Sequence, residues 1–290
     1  GQAFHSPAMM AAMPMLVPDK HLLRINTLDQ LLASVASIGA PAFGIFLYTT
    51  LGFSSVMFLD FAGACVAVLG LALAKIPTVV DATAKEQHVL ANLRDGWRAI
   101  AKTRGLVLLI GGVTIGMMIF GPLSAVFPLM TYQHFGGDGY AASLAEAALG
   151  VGMFVGSGIL IAWGGGKRLA GLIAVAAVVV GVATAACGLL PPDAFPAFIG
   201  LVAVMAVACA WFNGPTMTLT QRNVPDDKMG RAMGLLTAAM GLATPVAIAI
   251  GGVLAEAMGV APFFIVDGLA CLALGLALYL PKSVRALDEG

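Results

Sequence analysis

The sequence predicts an all-α membrane protein that crosses the bilayer many times and contains an internal repeat. Three observations carry this. The 290 residues are 60% hydrophobic and only 10% charged, with mean hydropathy +0.96, whereas a soluble domain has roughly 25% charged residues. The charges are also bunched: 105–137, 147–166, 169–192, 194–221 and 232–255 hold no Asp, Glu, Lys or Arg. Each stretch reaches about the 20 apolar residues that span bilayer hydrocarbon. Finally, features near the start of the chain return in the same order near its end. The competing classes are a soluble protein with one very large core and a membrane β-barrel. So few charges speak against the first, and the second would alternate in segments of about 10 residues.

Nine membrane segments follow, at 1–16, 28–50, 53–75, 105–130, 142–163, 169–190, 196–219, 232–256 and 260–280. The first is too short to cross about 30 Å at 1.5 Å per residue. No basic region precedes it, and Lys20 and Arg24 come after it, which argues against a signal peptide. The connections alternate between two sides. All 15 Lys and Arg fall on the side of 17–27, 76–104, 164–168, 220–231 and the tail. The side of 51–52, 131–141, 191–195 and 257–259 has none. Excess Lys and Arg mark the cytoplasmic face, so the C-terminus is predicted to be cytoplasmic. The first segment then runs inward from outside, and a chain starting there in mid-helix is expected to be N-terminally truncated.

Between the third and fourth segments, 76–104 is the sizeable polar stretch. Leu90, Leu93, Trp97 and Ile100 recur at helical spacing among Arg94, Asp95, Arg98 and Lys102. This predicts an amphipathic helix along the cytoplasmic interface, with a plain linker as the alternative. It divides the chain into 1–75 and 105–281, followed by a tail at 282–290. Cys65, Cys187, Cys209 and Cys271 lie in apolar stretches without metal-ligand spacing and read as small hydrophobes. Net charge is zero, with no basic tract for a nucleic-acid partner.

The repeat is legible in order and register. FHSP (4–7) returns as FNGP (212–215), VPDK (17–20) as VPDDK (224–228), and Arg24 as Arg231. Pro41 and Pro245 then sit inside the following spans. DFAGAC (60–65) with LGLAL (69–73) returns as DGLAC (267–271) with LGLAL (274–278). Parallel repeats of this kind build the two six-helix halves of the major facilitator fold. Segment 105–281 supplies six spans, helices 7 to 12. Segment 1–75 supplies part of helix 4 plus helices 5 and 6, so three helices and most of a fourth are expected to be absent. Such a fragment is not expected to transport by itself.

AFHSPAM (3–9), LVPD (16–19), LLRIN (22–26), APAFG (40–44), RDGWR (94–98) and VPDDKMGR (224–231) resemble one branch of the major facilitator superfamily. It is the drug:proton antiporter branch that includes macrolide-efflux-like proteins. Two departures stand out. Residues 39–41 read Gly-Ala-Pro where antiporters carry a Gly-Pro pair, and GGGKR (164–168) lacks the acidic residue of the family's gating motif. The resemblance implies a transporter of the bacterial inner membrane, with its C-terminus cytoplasmic and a monomer when full length. It would export apolar or amphipathic small molecules by alternating access, driven by proton entry and without a cofactor. The alternatives are uptake or exchange of a metabolite by the same fold, and a scaffold or sensor that has lost transport. No metal or nucleophile cluster points to an enzyme.

Candidate residues follow. The family places helices 4 and 10 beside the central cavity, which makes His5, Ser6, Asn213 and Thr216 substrate-cavity candidates, with Thr114, Met117 and Met118 from helix 7. Met9, Met10, Met13 and Met217 suit a re-packable apolar surface or plain core filling. Asp60 and Asp267 are intramembrane acids, costly at the bilayer centre. They are candidates for proton binding, or for fixing helix packing through local hydrogen bonds. Glu146 and Asp29 are gate candidates in the seam between the halves, or interfacial charges, and Glu256 is a weaker one. Pro7, Pro41, Pro215 and Pro245 remove backbone donors and are predicted kink sites. Gly152 and Gly156 have the GxxxG spacing that permits close helix contact.

Overall fold

The computed structural model describes residues 17–73, 97, 101, 104–166 and 168–288. The predicted first segment, with His5, Ser6 and Pro7, and most of the loop 76–104 lie outside the described residues. Among the described residues every regular element is helical. Helix α1 is Asp19–Leu73, and its backbone leaves helical values at Gly52 (φ 74, ψ 165). The predicted break between two spans at 51–52 falls there. A residue without a Cβ reaches this positive φ at little cost, so one residue suffices to turn the chain. The helix starts at Asp19, well before the predicted span at 28. Hydropathy registers the bilayer, whereas backbone hydrogen bonding carries the helix onward through Lys20, Arg24 and Asn26.

Six more long helices follow: α2 (Arg104–Leu129), α3 (Gly139–Trp163), α4 (Leu169–Leu189), α5 (Phe195–Asn223), α6 (Asp226–Met258) and α7 (Val260–Tyr279). With α2 extended through a π turn at Met130–His134, these six are long and apolar enough to cross a membrane. Their positions match the six predicted spans, so the protein is an all-helical, multi-pass membrane protein. Asp138 opens α3 by accepting from the Ala141 N–H at 2.9 Å, and Gly164 closes it at φ 78. Pro215 and Pro245 lie inside helices that run on through them. A short helix α8 (Lys282–Arg285) and a 3-10 turn (Ala286–Asp288) end the described chain.

Two buried apolar clusters fix how these helices alternate. One gathers Leu106, Leu169 and Met229 from the starts of α2, α4 and α6 with Leu160, Leu219 and Leu278 from the ends of α3, α5 and α7. The other gathers Phe127 from the end of α2 with Ala145, Phe198 and Phe263 from the starts of α3, α5 and α7. Neighbouring helices therefore run antiparallel, and Arg24, Arg104, Arg168, Arg222 and Arg231 share the end of the first cluster, the basic end. The tail docks there as well. Val284 and Leu287 are buried, and the Asp288 carboxylate accepts from the Ala170 N–H at 3.0 Å, capping the start of α4.

Lipid tails are as apolar as leucine, so these helices gain cohesion from close packing and not from expelling water. Helices α4 and α7 approach through Gly181 and Gly268: a Cβ on either would collide with backbone of the other helix. Gly188 and Gly275 serve the same crossing. The predicted Gly152 and Gly156 seat α3 against Ala203, Ala206, Val207 and Ala210 of α5. Replacing Gly268 by Leu should force α4 and α7 apart at a cost of about 1–3 kcal/mol or more. The check is thermal unfolding in detergent, with the open position Gly158→Ala as a control. Equal melting temperatures for Gly268→Leu and the control would contradict this packing.

Candidate functional site

A cavity of about 280 Å³ opens among α2, α3, α4, α5 and α7. Its wall is almost wholly apolar. Met117 and Phe120 come from α2, Met153 from α3, Val180 from α4, Met205 and Phe212 from α5, and Leu274 from α7. Cys209 and Cys271 also line it, both as free thiols. Asn213 is the amide on this wall. Two predicted cavity residues, Met117 and Asn213, are therefore brought together.

The other described candidates lie elsewhere. Thr114 and Thr216 turn their hydroxyls onto their own helices, donating to Ile110 O at 2.9 Å and Phe212 O at 2.6 Å. Neither borders the cavity, and each hydroxyl satisfies itself on the preceding turn of its own helix. Met118 is exposed, one residue round from Met117. Met153, Met205 and Phe120 were missed. Their apolar spans carry no polar marker, and a period of 3.6 alone does not say which face meets a cavity.

A second feature joins α1 to the rest. At the basic end, Leu23 packs on Gly165 of the α3–α4 loop, and Thr27 packs on Gly214 of α5. Gly164, Gly165 and Gly166 all have positive φ, which this GGG loop alone can adopt so cheaply. Between these contacts the Asn26 side-chain amide donates to Gln221 Oε1 at 2.7 Å and to Thr218 Oγ1 at 3.1 Å. Gln221 and Thr218 are buried. Asn26 drew no attention in the sequence, since one amide among cations gives no signal until its partners on α5 are known.

The acidic candidates separate. Asp29, Asp60, Glu146 and Glu256 are exposed. Around Asp60 the neighbours Phe58, Leu59 and Phe61 are exposed too, so this part of α1 is covered by none of the described helices. Its repeat counterpart Asp267 is buried at 6% exposure, and its Oδ2 has no hydrogen-bond partner. Among the described residues no cluster of His, Cys, Asp and Glu is arranged to hold a metal.

A family model described as Major Facilitator Superfamily matches residues 1–192 and 165–289. Macrolide efflux protein A of Streptococcus pyogenes is 27% identical over 289 residues, covering 99% of this chain and 71% of that protein. Its namesake in Enterococcus faecalis is 27% identical over 249 residues, covering 86% of this chain and 77% of that protein. Multidrug efflux pump Tap of Mycolicibacterium fortuitum is 24% identical over 303 residues, covering 99% and 71%.

The contact between α1 and α5 makes a direct prediction. Asn26→Ala should cost about 1–3 kcal/mol by removing both bonds to buried partners. A double-mutant cycle with Gln221→Ala, read by thermal unfolding, should return a coupling of about 1 kcal/mol. Strictly additive losses would show that the two side chains do not interact.

Proposed function

Because the chain belongs to the major facilitator superfamily, we propose that it works in a secondary active transporter exporting apolar or amphipathic small molecules. The observation that carries this reading is the cavity. Small-molecule sites are concave and mostly apolar, with few polar groups that fix orientation. This one is walled by methionine, phenylalanine and aliphatic side chains around a single amide, Asn213. Methionine-rich walls re-pack around varied apolar guests. Relatives named for macrolide and multidrug efflux support the same substrate class and direction.

Transport proceeds in this reading by alternating access. The segments 1–75 and 105–281 act as two units, with 76–104 between them, and rock against each other, the described cavity lying within the second. The basic end faces the cytoplasm, where lysine and arginine accumulate, in a bacterial-type inner membrane. The Asn26–Thr218–Gln221 contact, together with Leu23 on Gly165, closes the seam at that end. In this reading it must part for the two units to rock. Its bonds are suited to that: neutral hydrogen bonds contribute about 1 kcal/mol each, enough to favour one state without locking it. Proton entry supplies the drive, and Asp267 is the buried acid among the described spans.

The reading is tested in proteoliposomes containing the full-length protein. Substrate should leave the compartment corresponding to the cytoplasm, and the rate should fall when the pH gradient is collapsed. Flux indifferent to the gradient would remove the proton coupling, and no flux of any apolar compound would remove the transport reading. Filling the cavity with Gly116→Phe should lower the export rate by about an order of magnitude, as expected when a ring displaces the guest. An unchanged rate would move the substrate path elsewhere.

A further inference from the structure

We propose that the cavity is also a binding site for a soft monovalent metal ion of the Cu(I) class, held by the Cys209 and Cys271 thiols with methionine thioethers. Sulfur is concentrated on its wall. With 15 Met and 4 Cys among 290 residues, a wall of 15 residues would carry about one sulfur by chance. This wall carries five, from four helices: Met117 from α2, Met153 from α3, Met205 and Cys209 from α5, and Cys271 from α7. A methionine in a packed core is surrounded by other side chains. These border an open space of about 280 Å³, with room for an ion.

Ligand type selects the ion. Thiolate and thioether sulfur select Cu(I), whereas carboxylate, carbonyl and water suit Mg, Ca and Mn. Among the described residues no His, Asp or Glu lines the cavity, and Asn213 is its one hard side-chain donor. A structural zinc site takes four ligands drawn from Cys, His and carboxylates, and here the two thiols are the residues of that kind. A Cu(I) ion is satisfied by fewer donors, and thioethers serve it.

Charge and placement agree with this ion. An uncompensated charge in a low-dielectric cavity is prohibitive. Cu(I) avoids it by replacing the proton of one thiol: an S–H bond breaks, an S–Cu bond forms, and the proton leaves to water with no change in oxidation state. The second thiol and a thioether donate lone pairs as neutral ligands, so the filled site has no net charge. Met205 and Cys209 stand four apart and share one face of α5. Cys271 and Met205 belong to one buried cluster, with Cys209 packed against it, and both thiols are free. The Thr184 hydroxyl donates to the Met205 sulfur at 3.4 Å, which holds that thioether in place and leaves its second lone pair for the ion. This site lies in the cavity of the transport reading but goes beyond it, since holding the ion needs no flux.

The test is anaerobic equilibrium binding to the full-length protein in nanodiscs, with Cu(I) delivered by a chromogenic chelator that competes for it. The unaltered protein should take Cu(I) from the chelator, and X-ray absorption at the copper edge should show the metal surrounded by sulfur alone. Loss of a group that supports a ligand costs about 10–100-fold in metal affinity. Loss of a ligand itself, in Cys209→Ala or Cys271→Ala, should therefore cost at least about 100-fold, and Met205→Leu at least about tenfold. Cys65→Ala and Cys187→Ala, whose thiols lie off the cavity wall, should bind as the unaltered protein does. No uptake by the unaltered protein overturns the proposal, even should a cysteine variant fail to fold. So does nitrogen or oxygen around the metal, or full affinity in both Cys209→Ala and Cys271→Ala. Export is measured separately. Cu(I) binding by a protein that exports nothing would overturn the transport reading and leave this site standing, and export without Cu(I) binding would do the reverse.

Discussion

Everything described here depends on the close crossing of α4 and α7. In water, helices are driven together by expelling solvent from apolar faces, but lipid offers no such reward. What remains is contact, and contact requires that backbones approach. Gly181 and Gly268 provide the approach, each occupying space that a Cβ on the other side would fill. The crossing fixes α7, and α7 carries Cys271 and Leu274 at the back of the cavity, with Asp267 one turn away. Without this crossing the cavity would lose its rear wall.

The same logic, with different chemistry, governs the front. Helices α3 and α5 pack through Gly152 and Gly156, and the Trp211 indole N–H donates to Gly156 O at 3.0 Å. Together they form the face on which α1 rests. That resting contact joins apolar packing by Leu23 to polar bonds from Asn26, whereas the crossing behind the cavity is made by glycine backbone. Asn26 reaches Thr218 and Gln221 through hydrogen bonds that can be exchanged for water. A glycine-packed crossing cannot be exchanged so cheaply. The molecule thus separates a part that must hold from a part that can open, and it does so by the choice of side chains at two helix contacts.

Much of the fold was legible in the sequence, because a bilayer imposes one-dimensional rules. Apolar length located α2 through α7, and the break at 51–52 was visible as the gap between two apolar runs. Cation placement ordered the helix ends. The site was less legible. Asn213 announced itself as an amide beside a proline in an apolar span, but Met153, Met205 and Phe120 look like any core residue until the helices are turned. The repeat also proved an incomplete guide to environment. Asp60 and Asp267 hold equivalent positions, yet one is exposed and the other buried, since a residue's surroundings depend on which helices pack beside it. Asn26 was silent for the opposite reason, its meaning lying on another helix.

The central claim is that the contact between α1 and α5 opens and closes during transport. The most direct measurement places cysteines at Asn26 and Gln221 in the full-length protein freed of its native thiols, and joins them with a short reducible cross-linker in proteoliposomes. The account predicts that export stops when the link is complete and returns when it is reduced. Export at the full rate through a completely linked protein would contradict it.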